Sequence, residues 1–369
     1  MDGLILSPML APVPMRLYHF AVLTLLIAGT TLSLAAQQSS APPALNPAQV
    51  PSLTVDRDPV RSPDGEPAAL PVVRKEGDNY VLHKDVEEVA LNCSVLDGNR
   101  MVPDLNKENF QILEDGVKQK IISFQHTDLP VSIALVVDNS GSMGRKRPSV
   151  NKSTLDLIAA SNPQDEAFVV NFSDAAIIDQ EFTSDVNKLR EGLSHIESRG
   201  GTALYDAVAA SADKLATDAR RPKQVLILIT DGDDNASTFN LEQTIRRVQQ
   251  LSGPVIYSIG LLFGDEDMSR SQMKHARQAL EMLSTETGGM AFFPKNIEQI
   301  DQIAAEVARD IRNQYTIGYH STRPTTVPGF RRVEVTAEGK GRGKLIVRTR
   351  TGYFPGTRVV KQTAAPAKK

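Results

Sequence analysis

The chain has 369 residues, no tryptophan and a single cysteine, Cys93. One thiol cannot close an internal disulfide, so stability must come from packing even if the chain is exported. No charge of one sign dominates: 41 Lys and Arg stand against 44 Asp and Glu, for a net charge of −3. That balance gives no sign of a nucleic-acid surface. The familiar catalytic signatures are missing too. There is no G-x-S-x-G and no H-E-x-x-H, and the 6 histidines are scattered. The glycine pair in "SRGGTALYD" (198–206) lacks the lysine of a phosphate loop. Ser149 and Lys152 spell S-x-x-K and Ser173-Asp174 follows, but Ala175 stands where asparagine is needed and no K-T-G occurs. The penicillin-binding reading therefore fails.

Long apolar runs are also scarce. The one that stands out is Phe20 to Ala36, "FAVLTLLIAGTTLSLAA", with Arg16 ahead of it and small residues at Ser33-Leu34-Ala35. It is short for a membrane span of about 20 residues and reads as a signal peptide over 15–36, with Met15 as the more usual start. No cysteine follows the run directly, which argues against a lipid anchor. The expectation is an exported protein that is periplasmic, in the cell envelope or secreted. Membrane contact is expected only through this segment, if it stays uncleaved. Residues 37–67 are rich in Pro, Ser and Ala and read as a disordered linker; the tail 356–369 is similar and basic.

Two kinds of periodicity divide the rest. Residues 68–130 alternate with period two, as in "VALNCSVLD" and "QKIISFQ", with hairpin signals at Asp97-Gly98 and Asp115-Gly116. From Val131 to Gln314, apolar strands such as "SIALVVD" and "QVLILITDG" alternate with helical stretches. Strands apolar on both faces are the mark of a parallel sheet covered by helices, so 131–314 reads as a doubly wound, mostly parallel, Rossmann-like α/β domain. Period two returns over 315–355. Neither β segment has enough strands to bury a face alone. The expected architecture is therefore one small antiparallel β module, made from both segments, with the α/β domain inserted in it. Its expected core is Val89, Leu91, Cys93, Val95, Ile112, Ile122 and Phe124 from the first segment, with Ile317, Val333, Val335 and Val347 from the second.

The apolar run Val131–Val137 stops at "DNSGSMG". Ligands of open α/β sheets sit beyond the carboxyl ends of the strands, which is where Asp138, Ser140 and Ser142 fall. Asp231 falls at the same level after "VLILIT", and Thr202 can sit at the start of the helix that follows Gly200-Gly201. Separate segments thus aim carboxylates and hydroxyls at one point. Two carboxylates held about 4 Å apart repel by roughly 4 kcal/mol at an effective dielectric near 20, so a proton or a cation must intervene. The donors are all hard oxygens, which suit Mg²⁺, with Mn²⁺ or Ca²⁺ possible; no His or Cys joins them, as zinc would want. The plainer reading is that "DNSG" is a common turn and that Asp and Ser are ordinary caps.

Asp138, Ser140, Ser142, Thr202 and Asp231 together resemble the metal-ion-dependent adhesion site of von Willebrand factor type A domains, whose pattern is Asp-x-Ser-x-Ser, then Thr, then Asp. The flanks "NFQILEDGVKQKIISF" and "NQYTIGYHSTRPTTVPGFRRVEV" resemble those of bacterial secreted, VWFA-related proteins of the acidobacterial type. The resemblance implies a bound divalent cation with an open position filled by an acidic residue of a protein partner. The function expected is non-enzymatic binding or adhesion. The alternatives are a structural envelope protein with a vestigial site, and a metal-dependent hydrolase working through Asp138 and Asp231, for which no general base is visible. Weaker readings attach to Asp233, Asp234 and Asn235 as a second cation site and to Asp265-Glu266-Asp267 as an acidic rim. The basic strands from Arg331 to Arg350 carry a minority reading as an anionic-surface site. If the signal reading holds, N-terminal sequencing of protein from the native envelope should begin near Ala36 or Gln37. An intact N-terminus in the membrane fraction would show an anchor instead.

Overall fold

The alternation read from Val131 onward is realised in the computed structural model, whose described residues are 54–55, 88–159, 162–195, 199–264 and 268–356. The signal segment, most of the linker, the acidic stretch 265–267 and the tail beyond 356 lie outside the described residues. In chain order, the strands are β1 (Thr54–Val55), β2 (Glu88–Asp97), β3 (Arg100–Met101), β4 (Phe110–Glu114), β5 (Val117–Gln119) and β6 (Ile121–Gln125). The α/β domain follows with β7 (Val131–Asp138), α1 (Arg147–Ala159), β8 (Glu166–Phe172), β9 (Ala176–Thr183), α2 (Val186–Ser194) and α3 (Leu204–Asp218). It continues with β10 (Lys223–Thr230), α4 (Leu241–Gln250), β11 (Val255–Gly260), α5 (Arg270–Thr287), β12 (Ala291–Phe292) and α6 (Ile300–Arg312). The chain then returns to strand with β13 (Tyr315–His320), β14 (Arg331–Ala337), β15 (Ile346–Arg348) and β16 (Gly352–Tyr353).

The α/β domain carries a seven-stranded sheet in the order β1-β9-β8-β7-β10-β11-β12. Its pairs are parallel except β8 with β9. The edge strand β1 is a departure from the sequence reading, because Thr54 and Val55 fall in the stretch read as linker yet pair with Ile177 and Ile178. Every residue of β7 is buried, and its alternation explains why. Ile133, Leu135 and Val137 pack with Val150 and Leu157 of α1 and Ile303 and Val307 of α6. Ala134 and Val136 face the other way, onto Leu204 and Val208 of α3 and Leu280 and Leu283 of α5. Covered on both faces, β7 and β10 run side by side, and their last paired residues are Val137 and Ile229. Asp138 and Thr230 therefore emerge together at the carboxyl edge.

The flanking segments build two antiparallel sheets around one core. One has the order β15-β2-β13-β6 with β3 added on β2, and the other β16-β14-β4-β5. Asp115 and Gly116, with φ of 48° and 80°, make the tight β4–β5 hairpin turn that the Asp-Gly pair predicts. Leu91, Cys93 and Ile317 from the first sheet share a core with Ile112 and Val333 from the second. Burial pushes the Cys93 thiol up to about 12, which leaves it an inert packing group at neutral pH. Phe124, Val335 and Val347 pack against this core partly buried. Ile122 does not join it: it is 41% exposed, and Ile121 is buried instead. The cause is a bulge. Tyr319 opposes Ile121 while Gly318 opposes Ser123, so Ile122 is the extra residue and the alternation slips. The basic strands also differ from their surface reading. Arg331 is wholly buried, donating to the carbonyls of Arg323 and Pro324, and Arg348 donates to Asp310 of α6.

The chain leaves this module after β6 and returns as β13, and those strands are hydrogen-bonded neighbours, with Thr316 opposite Gln125. An entire α/β domain is thus inserted between adjacent strands. Arg312, just before β13, pairs with Asp128 at 2.7 Å and with Asp165, whose other oxygen accepts from Val131 N at 2.8 Å. Tyr315 locks the module from inside: its hydroxyl donates to Val102 O at 2.6 Å and accepts from Leu105 N at 3.0 Å. Tyr315→Phe orphans that buried N–H, so it should lower the urea-unfolding free energy by about 1–3 kcal/mol. A variant as stable as the parent would mean that the hydroxyl does not hold the 102–105 segment.

Candidate functional site

The turn after β7 is dictated by its first residues. Ser140, with φ −66° and ψ 167°, folds its backbone N–H onto Asp138 Oδ1 at 2.8 Å. This local acceptor stops the strand. Asn139 is tied by backbone to Phe172 O at 2.7 Å. A 3₁₀ turn over Gly141–Arg145 follows, anchored by the fully buried Met143, and α1 starts at Arg147 with Pro148 in its first turn. Proline there sacrifices no helical hydrogen bond.

Four of the expected ligands form one hydrogen-bonded chain. Asp138 Oδ2 accepts from the Thr230 hydroxyl at 2.5 Å. Ser140 Oγ lies 3.2 Å from Ser142 Oγ, and Ser142 donates to Asp231 Oδ1 at 2.7 Å. Thr202 reaches the same place by a different route. Gly201 N donates to Asp174 Oδ1 at 2.6 Å, Thr202 N donates to Asn235 Oδ1 at 2.9 Å, and Ala203 N donates to Ser173 O at 2.6 Å. These bonds set the Thr202 hydroxyl against Gly232: a Cβ on that glycine would come within 3.3 Å of Oγ1. The Thr202 hydroxyl therefore lies beside the residue that follows Asp231. Asp138, Ser140, Thr202 and Asp231 are buried, whereas Gly141 and Ser142 are exposed, so the cluster is closed below and open to solvent on the turn side.

Burial pushes the Asp138 carboxyl up to about 6; the bonds from Thr230 and Ser140 oppose this, and the charge of Asp231 adds to it. The sequence reading missed two cations. Lys146 Nζ sits 2.7 Å from Asp231 Oδ2 and 3.1 Å from Leu261 O, with its side chain nearly buried. Arg147 is fully buried and bonds Asn171 Oδ1 at 2.7 Å; burial pushes its guanidinium down to about 10, and the charges of Asp138 and Asp179 pull it back up. The signal was present in "GRKRP" directly after the motif, but it reads as an exposed basic turn unless the chain is known to fold back on itself. The second-site reading fares differently. Asp234 caps the start of α3, accepting from Tyr205 N at 3.1 Å and the Ser237 hydroxyl at 2.5 Å, and Asn235 is spent on Thr202. Among the described residues, no group of three or more His, Cys, Asp or Glu forms a separate metal cluster.

The donor set of Asp138, Ser140, Ser142, Thr202 and Asp231 is chemically apt for a hard divalent cation: two carboxylates and three hydroxyls around a solvent-open face.

The family model described as von Willebrand factor type A domain matches residues 133–233, which include all of these donors. Human inter-alpha-trypsin inhibitor heavy chain H4 is 26% identical over 266 residues, covering 64% of this chain and 27% of that protein. The chain thus spans about a quarter of that relative's length. Among solved structures, a von Willebrand factor type A protein from Catenulispora acidiphila matches at 13% identity and a TM-score of 0.43, covering 72% of this chain and 74% of that one. The vWF domain of the Porphyromonas gingivalis pilus tip protein Mfa5 matches at 14% identity and 0.40, covering 50% and 97%.

The Asp138 environment gives a pH test. With its folded value near 6 and an ordinary value of 3.8, the folded chain holds a proton that the unfolded chain releases between those pH values. Stability of the cation-free protein therefore falls as pH rises from about 4 through about 6, by up to about 3 kcal/mol from this group. Asp138→Asn should lack that component. In EDTA its stability relative to the parent should improve steadily from pH 4 to pH 7, and parallel curves would show that Asp138 ionises without penalty.

Proposed function

We propose, for a chain that is a von Willebrand factor type A domain protein, a non-enzymatic binding function outside the cytoplasm. A divalent cation, Mg²⁺ or else Mn²⁺ or Ca²⁺, is held by Asp138, Ser140, Ser142, Thr202 and Asp231, directly or through water. When bound, it supplies a hard positive centre with a position open to an acidic group of a protein partner. The observation that carries this reading is the convergence of buried carboxylates and hydroxyls at a strand end that opens to solvent at the Gly141–Ser142 turn. Export rests on the N-terminal sequence alone.

The residues themselves do the positioning. Thr230 and the Ser140 N–H hold Asp138, Ser142 holds Asp231, and Asn235 with Asp174 fixes the loop bearing Thr202. Each oxygen of both carboxylates accepts one hydrogen bond, which fixes its orientation and leaves a further lone pair for a cation. One observation favours the second reading, a structural role with a vestigial site: the ion pair of Lys146 with Asp231 neutralises that carboxylate without a metal.

Thermal melts in EDTA and in millimolar Mg²⁺ or Mn²⁺ separate these readings. A ligand that binds only the folded state at about 100 times its Kd adds about 2.7 kcal/mol, a rise of several degrees. Asp138→Ala and Asp231→Ala should keep the fold and lose that rise. A parent melting temperature indifferent to the cations would favour the vestigial reading.

A further inference from the structure

Lys146 occupies the carboxylate that the cation needs. Asp231 has its Oδ1 taken by the Ser142 hydroxyl at 2.7 Å and its Oδ2 by the Lys146 ammonium at 2.7 Å. The Asp231 side chain is wholly buried and that of Lys146 is 8% exposed, so water screens this pair poorly. The ammonium is fixed from other directions as well, by Leu261 O at 3.1 Å and by the Phe263 ring at 5.3 Å. It is therefore a built part of the cluster rather than a surface charge passing over it.

Resting on the cation-site reading above, we propose that Lys146 is a built-in competitor for the divalent cation and sets its affinity. In the cation-free protein the ammonium neutralises Asp231. A cation entering beside Asp231 meets that positive charge at close range, and the ammonium gives up the carboxylate. The Leu261 carbonyl and the Phe263 ring keep the displaced charge beside the site. Arg147, fully buried, adds a second positive charge within electrostatic reach of Asp138, though its guanidinium bonds Asn171 Oδ1 and Leu193 O and not that carboxylate. With two basic side chains buried beside the two carboxylates, the charge of the cation is left uncompensated. The loaded site is consequently positive and draws an anionic group from the partner, whereas the empty site does not.

A supporting lysine and a competing lysine predict opposite signs. Removing a support misplaces Asp231 and weakens cation binding; removing a competitor tightens it. Isothermal titration of the full chain with MnCl₂, after EDTA treatment and dialysis, distinguishes them. Lys146→Met keeps the aliphatic stem, and Lys146→Gln keeps a polar end. Both should bind Mn²⁺ about tenfold or more tightly than the parent. Both should also melt lower than the parent without cation, with the gap closing as Mn²⁺ is added. Binding by the variants but not the parent also supports the inference. Equal or weaker binding in folded variants overturns it while leaving the cation site in place. No binding in any of the three overturns the cation site as well. A readout on the parent alone does not depend on variant folding: in lysine-¹⁵N-labelled protein the Lys146 Nζ resonance should shift on saturation with Mg²⁺. Saturation without that shift overturns the competition.

Discussion

Two like charges taken out of water on neighbouring strands are the constraint around which this site is arranged. Asp138 ends β7 and Asp231 lies one residue beyond β10, and both are buried. An unpaired buried carboxylate is costly, and two near each other more so. The surrounding geometry answers that cost piece by piece. The Thr230 hydroxyl and the Ser140 N–H serve Asp138, while Ser142 and Lys146 serve Asp231. The 3₁₀ turn is needed because it brings Ser142 and Lys146, both in the segment after β7, back over the end of β10. Were the strand to run straight into a helix, the hydroxyl and the ammonium would point away from Asp231.

That arrangement is only as firm as the sheet beneath it. β7 and β10 are covered on both faces, and their shared ladder runs from Val131–Lys223 to Val137–Ile229. The sandwich adds a second layer of restraint. Arg348 of β15 bonds Asp310 of α6, and Thr351 bonds Glu286 of α5, so the later β segment grips helices of the domain it encloses.

Much of this was legible in the sequence, for identifiable reasons. "SIALVVD" and "VLILIT" are apolar on both faces; the first ends in an acid and the second is followed by one, which gives both the parallel sheet and the two carboxylates. The hydroxyls are spaced on alternate residues, so they could be read as a set. Lys146 and Arg147 were not legible, because basic residues in a turn look solvent-exposed until the fold-back is known, and here both are buried. Ile122 failed for a different reason. Period-two reading assumes an unbroken ladder, and a bulge against Gly318 and Tyr319 inserts one residue without leaving a mark in the local pattern. Thr54 and Val55 escaped notice because a two-residue edge strand is too short to show any period.

The way the α/β domain is mounted has a mechanical meaning. β7 begins at Val131, six residues after β6 ends at Gln125, and it finishes at Asp138. A tug on the cluster therefore runs down the axis of β7 towards the sandwich. That load is carried by the covalent backbone of β7 itself, while the ladders to β8 and β10 hold the strand in register along its whole length. At the anchored end the load meets Asp165 on the Val131 N–H and Arg312 on Asp165 and Asp128. The central strand of the sheet thus joins the cluster to the sandwich by one continuous run of backbone, and a displacement at either end is felt at the other without passing through a loop of the α/β domain.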